Sequence, residues 1–238
     1  MGALQQVPAP WPQRRLCAFD VESTGVDVFA DRIVSAAIIR CGGGAPTATR
    51  TWLIDPGIEI PKGASDIHGI TTERARAEGL APVRALVEIA DELLSAAEDG
   101  EALVVCNAPF DLTILRSELA RLDLPFPLKT STVIDPLVLD KFVDRYRKGS
   151  RKLAALAEVY AAKLDRAHDA ASDALAAARV AYRIAERNPE IASKSIEEMQ
   201  ALQRDAYREQ AEGLNSYWIS KGDKRRVDNF EWPIRSIR

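Results

Sequence analysis

The sequence predicts an α/β fold in which one mixed sheet is covered by helices. Two observations carry this. Short apolar and β-branched runs cluster early in the chain, whereas from residue 137 onward the pattern is helical. Between these regions strands alternate with helices, the layout of a sheet packed between helical layers.

The elements follow in order. Residues 16–19, 33–40 and 51–54 read as three successive strands separated by Gly, Asp and Pro. Connections this short favour antiparallel pairing. Over 82–97, Leu86, Ile89, Ala90, Leu93 and Leu94 recur at helical spacing, and Gly100 is a stop signal. Residues 102–106 make a fourth strand. A helix from Pro109 carries Leu112, Leu115, Leu119 and Leu122 on one face, and 132–134 form a short fifth strand. Helices over 137–146, 152–163, 170–185 and 196–210 follow, with Pro189 separating the last two.

The 238 residues suit one medium domain with a tail. The expected division is a frayed leader over 1–14, a catalytic domain over 15–187 and a C-terminal extension over 188–238, helical at first and then aromatic and basic. In its last part Tyr217, Trp218, Phe230 and Trp232 interleave with Lys221, Lys224, Arg225, Arg226, Arg235 and Arg238. That run could guide a nucleic acid strand, or form a solvated face while Trp218 or Trp232 packs onto the main domain.

Composition narrows the functional classes. An apolar content of 47% with 28% charged residues excludes a disordered chain. The longest apolar runs fall far short of the roughly 20 residues a bilayer requires, so no membrane partner is expected. Residues 1–12 lack a signal pattern, which points to the cytoplasm. Cys17, Cys41 and Cys106 form no close pair, against a disulfide framework or zinc knuckle. A net charge of −3 argues against bulk electrostatic coating of duplex DNA, but not against a nuclease that meets phosphate through metal.

Three segments carry chemistry. Asp20 and Glu22 follow an apolar strand and, by alternation, fall on the same side of it. Such a pair suits a hard divalent cation, although acids at strand ends are also commonly solvated or capping. Asn107, Ala108, Pro109, Phe110 and Asp111 lie between the fourth strand and the next helix, placing Asp111 in a first turn whose dipole favours an anion in any case. His168 and Asp173 flank the start of an alanine-rich helix that can approach the sheet closely, while Asp169 is a candidate cap. An imidazole beside carboxylates can take a proton from water near neutral pH.

Together these segments resemble the DEDDh, or DnaQ-like, 3′→5′ exonuclease family, which includes the proofreading epsilon subunit of bacterial DNA polymerase III, oligoribonuclease and ribonuclease T. Asp20-x-Glu22 with Ser23-Thr24-Gly25 is similar to its first motif, Asn107 to Asp111 to its second, and His168-x-x-x-x-Asp173 to its third. Ser23 stands where Thr is common. His68-Gly69-Ile70-Thr71 is similar to a segment that precedes the first long helix in epsilon-type members.

The resemblance implies a ribonuclease-H-like fold, a mixed five-stranded sheet flanked by helices, and two divalent cations, Mg or Mn, on Asp20, Glu22, Asp111 and Asp173. His168 is the implied general base, and nucleoside 5′-monophosphates are the implied products. Implied substrate contacts are Thr24, Gly25, Ile67, His68, Asn107 and Phe110, though His68 equally suits a turn and Phe110 equally suits the core. Single-stranded 3′ ends are the expected partners, DNA before RNA. Relatives often form homodimers. No clamp- or polymerase-binding segment is apparent, which favours a stand-alone enzyme.

Two other classes compete. Asp20-Val21-Glu22-Ser23-Thr24 also resembles the opening of an aspartyl-nucleophile phosphatase, with Asp169 and Asp173 as its acidic close, but Glu22 replaces the usual second aspartate and His168 is left without a role. A catalytically silent nucleic-acid-binding module would be expected to have lost a ligand, and here none is missing.

Overall fold

Strand β1 (Arg15–Ser23) is the spine of the fold because both its faces are apolar until Asp20. The computed structural model describes residues 10–126, 128 and 133–236. Among these, β1, β2 (Ile33–Gly42), β3 (Ala48–Leu53), β4 (Ala102–Val104) and β5 (Val133–Ile134) form one sheet in the order β3-β2-β1-β4-β5. The tight links pair β1 with β2 and β2 with β3 antiparallel, while the helical crossovers pair β4 with β1 and β5 with β4 parallel. The mixed five-stranded sheet is therefore as expected; Thr132, the expected start of β5, lies outside the described residues.

On one face of the sheet Cys17, Phe19 and Val21 meet Leu86, Ile89 and Leu93 of helix α3 (Pro82–Glu98) and Leu112, Leu115 and Leu119 of helix α4 (Ala108–Arg121). Full burial of a side chain such as Phe19 is worth about 1.5–3 kcal/mol. Leu94 and Leu122, expected on those apolar faces, are substantially exposed because they fall at the rim of their helices. On the other face Leu16 and Ala18 meet helix α7 (Ala170–Arg187) through Ala174, Ala177, Ala178 and Ala181.

Two short helices, α1 (Lys62–His68) and α2 (Thr72–Glu78), precede α3. Helix α5 (Pro136–Val143) follows β5, and α6 (Leu153–Val159) stops short of the expected end because Ala161 is left-handed at φ 50°. Beyond the short α8 (Pro189–Ala192), α9 (Ile196–Ser220) opens with a reciprocal Ser195–Glu198 capping box and runs ten residues past its expected end at 210. Gly213 does not break it, and Tyr217 and Trp218 belong to its last turns.

Part of the expected leader packs onto the fold. Trp11 is 1% exposed and its indole donates to the Ile191 carbonyl at 3.1 Å, since a buried N–H must find a partner. Likewise the C-terminal segment is tied in: Trp232 joins the core under α4, and Gln203 of α9 bonds Val133 and Asp135 of the β5 segment. No helix among the described residues is long and apolar enough to cross a membrane.

Candidate active site

Even-numbered β1 side chains continue the α7-facing side of the sheet, so Asp20 and Glu22 emerge beyond Leu16 and Ala18 toward the start of α7. Alanines along α7 hold that helix close, and Asp173 in its first turn reaches the same place. Glu22, His168 and Asp173 each offer a ligand atom within 4.8 Å of the other two.

His168 sits just before α7 in a left-handed conformation at φ 61°, and its backbone N–H donates to Asp173 Oδ2 at 3.1 Å. That turn keeps the imidazole exposed beside the acids. Asp169 is the N-cap, accepting from the Ser172 N–H at 3.0 Å, so its carboxylate serves the helix.

Asp111 arrives from the opposite side of the sheet plane. Its Oδ1 accepts the Val21 N–H at 3.1 Å, which couples the second acidic segment directly to the strand bearing Asp20 and Glu22. The chain turns into α4 through Asn107, left-handed at φ 65°, a conformation that Asn tolerates better than most residues.

Electrostatics record how closely the acids meet. Burial pushes Asp20 well above the usual carboxylate range, and the charges of Asp111, Asp173 and Glu22 push it further. Burial, then Asp173 and Asp169, raises Glu22 to about 7. Asp111 is raised by burial despite the opposing Val21 hydrogen bond, and Asp173 by burial despite the His168 N–H and the imidazole charge. Burial first, and mutual repulsion second, raise all four acids together.

The donor set fits a divalent metal. Its ligands are hard carboxylate oxygens, and Asp173 Oδ1 is buried with no hydrogen-bond partner among the described residues. Glu22 and Asp173, with His168, could ligate one such cation, and Asp20 and Asp111 lie close enough to be felt electrostatically.

The expected substrate contacts divide. Ile67 is exposed, and His68 ends α1, where burial lowers its pKa and His168 lowers it further, against an interaction with the Ser23 backbone. His68 Nδ1 accepts the Ile70 N–H at 3.1 Å, as a turn residue would, and its buried Nε2 makes no hydrogen bond of good geometry among the described residues. A groove of about 220 Å³ joins Glu22, His68 and His168 to Trp52 and Arg74. Thr24 is buried, and its hydroxyl donates to Asp31 at 2.7 Å and accepts the Arg32 N–H. Gly25 lies against the same Asp31, whose carboxylate an added Cβ would meet at 2.5 Å. Phe110 packs against the core cluster.

One residue of the site escaped sequence reading. Asp135, fully buried, accepts backbone N–H groups from Asn107 and Ala108, both at 3.0 Å, and also caps α5 through Leu137 and Val138. The Trp232 indole donates to its other side at 3.3 Å. The Asp135-Pro136 pair directly after a strand was a readable N-cap signal, but nothing local announced its reach to residue 107.

A helix-flanked mixed sheet of this order, with acids gathered beyond the end of β1, is a ribonuclease-H-like fold. The chain belongs to the RNase T family, described as Exonuclease, whose model matches residues 17–181. It is 29% identical over 184 residues to a PolC-type DNA polymerase III of Caldanaerobacter subterraneus subsp. tengcongensis, covering 77% of this chain and 12% of that relative. A DNA polymerase III subunit epsilon-like protein of Rhodobacter capsulatus is 34% identical over 110 residues, 45% of this chain and 15% of the relative. The chain thus spans a small part of the curated relatives it matches.

Among solved structures, E. coli exonuclease I in complex with a dA16 oligonucleotide superposes with a TM-score of 0.64 at 21% identity, covering 75% of this chain and 42% of that chain. Exonuclease X in complex with 5′ overhanging duplex DNA gives 0.59 at 18%, covering 79% and 99%. These likenesses establish the fold. The DnaQ-like resemblance is borne out, and the family match removes the basis of the phosphatase reading.

Proposed function

We propose that the chain hydrolyses single-stranded DNA ends in the 3′→5′ direction, releasing nucleoside 5′-monophosphates, with RNA a poorer substrate. The observation that carries this reading is the convergence of Glu22, His168 and Asp173 within 4.8 Å beside Asp20 and Asp111. Bound divalent cations, Mg or Mn, would supply charge stabilisation of the attacking and departing oxygens of an in-line displacement.

The residues themselves do the rest. His168 would take the proton of the attacking water and pass it to solvent, a role supported by its exposure on a turn and the tether of its N–H to Asp173. Asp111, fixed to Val21, keeps the second side of the site in register with the first. The exposed Ile67, with the His68 ring beside the groove and the Ser23 backbone, favours contact with the terminal nucleotide. The buried Thr24 and the close Gly25–Asp31 approach favour a contact through backbone in that loop, while Phe110 supports the site from the core.

The test is to give the purified protein 5′-labelled single-stranded DNA, single-stranded RNA and a duplex with a mismatched end, with and without chelator. A ladder shortening from the 3′ end, stopped by chelator and strongest on single-stranded DNA, is expected. Release of inorganic phosphate in place of mononucleotides, or chelator-resistant cleavage, would overturn the reading.

A further inference from the structure

A second groove lies between α5 and α9, apart from the acid cluster. It has a volume of about 540 Å³ and is lined in part by Lys141, Phe142, Arg145, Tyr146, Leu214 and Tyr217. Three of these carry exposed rings: Phe142 at 47%, Tyr146 at 87% and Tyr217 at 57%. Cations accompany two of them, with Arg145 5.8 Å from the Tyr146 ring centre and Lys221 5.9 Å from that of Tyr217.

Charge differs between the two walls: the α9 side brings Glu209 to the lining, whereas the segment around α5 is basic. Residues 140–152 hold six cations and two acids in a protein of net charge −3. Some of that charge is structural: buried Asp140 accepts from Arg147 at 3.0 Å, from Arg151 and from the Tyr160 hydroxyl, which braces the wall of the groove. Arg145 pairs with Glu209 of α9 at 2.5 Å. Lys141 is half-buried and makes no direct ion pair among the described residues; burial lowers its pKa, against the more distant charges of Asp135 and Asp140. A partly dehydrated cation held only by charges at longer range leaves room for an anion at the groove.

We propose that this groove is a second contact for the substrate strand, holding it beyond the end being trimmed, with bases against Tyr146 and Tyr217 and a backbone phosphate at Lys141. The idea rests on the nuclease reading above. Single-stranded nucleic acid is the occupant that uses both features, since ring faces accept any base and the exposed cations beside them accept phosphate. An apolar peptide would use the rings alone. The two places share an element: Asp135, the N-cap of α5, holds the Asn107 turn, and Lys141 and Phe142 lie in the last turn of the same helix.

The test compares the wild type with Tyr146→Ala, Tyr217→Ala and Lys141→Met, singly and combined. Anisotropy of a 5′-labelled oligothymidylate of about 20 nucleotides, read in chelator, reports binding without catalysis, and a strand of about 4 nucleotides is the control too short to reach the groove. The combined variant is expected to bind the long strand about 10-fold more weakly, with a shallower salt dependence. The ratio of kcat/KM on long over short strands should fall similarly. Weaker binding in a protein that never cleaves would uphold the groove and sink the nuclease reading. Unchanged long-strand affinity, or sedimentation in which Tyr146→Ala converts a dimer into a monomer without weakening strand binding, would overturn the groove.

Discussion

The Asp135 carboxylate accepts the backbone N–H of Asn107 at 3.0 Å, across 28 residues of sequence. With Ala108 bound at 3.0 Å by the other oxygen, one buried acid fixes the left-handed turn from which α4 launches Asp111 toward Val21. Asp135 is therefore a positioning residue. Asp135→Asn keeps the size but replaces an acceptor oxygen with a donor, and should cost about 1–3 kcal/mol of stability. In the folded fraction kcat should fall about 10- to 100-fold with KM little changed, because a displaced Asp111 spoils alignment more than binding. Thermal melts paired with steady-state kinetics check this; a lower melting temperature with undiminished kcat would leave Asp135 a merely structural role.

Asp20→Ala or Asp173→Ala should nearly abolish turnover while leaving far-ultraviolet circular dichroism unchanged. Each removes a carboxylate from the acidic cluster, and neither opens a cavity in the apolar core. Calorimetric titration with Mn should show weakened binding in both. Wild-type turnover in either variant would contradict the proposed ligand roles.

His168→Ala should lower the rate by about 10²–10⁴-fold, the range for a positioned proton acceptor, and flatten the pH profile near neutrality. The imidazole is exposed and contributes no core packing, so stability should not change. A variant with the wild-type pH profile would remove His168 from this role.

Glu22 gives a stability prediction with a definite sign. Its carboxyl is raised from 4.5 to about 7 by burial and by Asp173 and Asp169. Folding therefore gains from the protonated form below pH 4.5, and that gain is lost as pH rises through about 7. In chelator the wild type should weaken over this window. Glu22→Gln, which cannot ionise, should flatten the dependence and be about 1–2 kcal/mol more stable than wild type near pH 8, allowing for solvent screening. Denaturant unfolding across pH reads this directly, and a metal-free wild type that strengthens between those values would refute it.

The sequence disclosed the elements whose signals are local. Short continuous apolar and β-branched runs around Phe19 and Ile38 marked strands, and the leucines of α4 marked a helix, because those signals arise within a few consecutive residues. It also brought Asp20, Glu22, Asp111, His168 and Asp173 forward as a group, through motif order. Asp135 was hidden because its partners lie 27 and 28 residues away, a relationship that appears only when β4 and β5 align. Trp11 and Trp232 were misjudged or left open for a related reason. Each lies among polar or Pro-containing neighbours, and its burial depends on surfaces assembled by distant helices.

The alanine face of α7 works as a shim of fixed thickness between the helix and β1. Replacing Ala174 or Ala177 by Val would add bulk where none fits, and the helix would have to back away from the strand. A shift approaching 1 Å would carry Asp173 out of reach of Glu22, and misplacement on that scale can cost about 10²-fold in rate. A mutational survey of the protein should accordingly find silent, still-folded enzymes among substitutions at positions that touch no substrate at all.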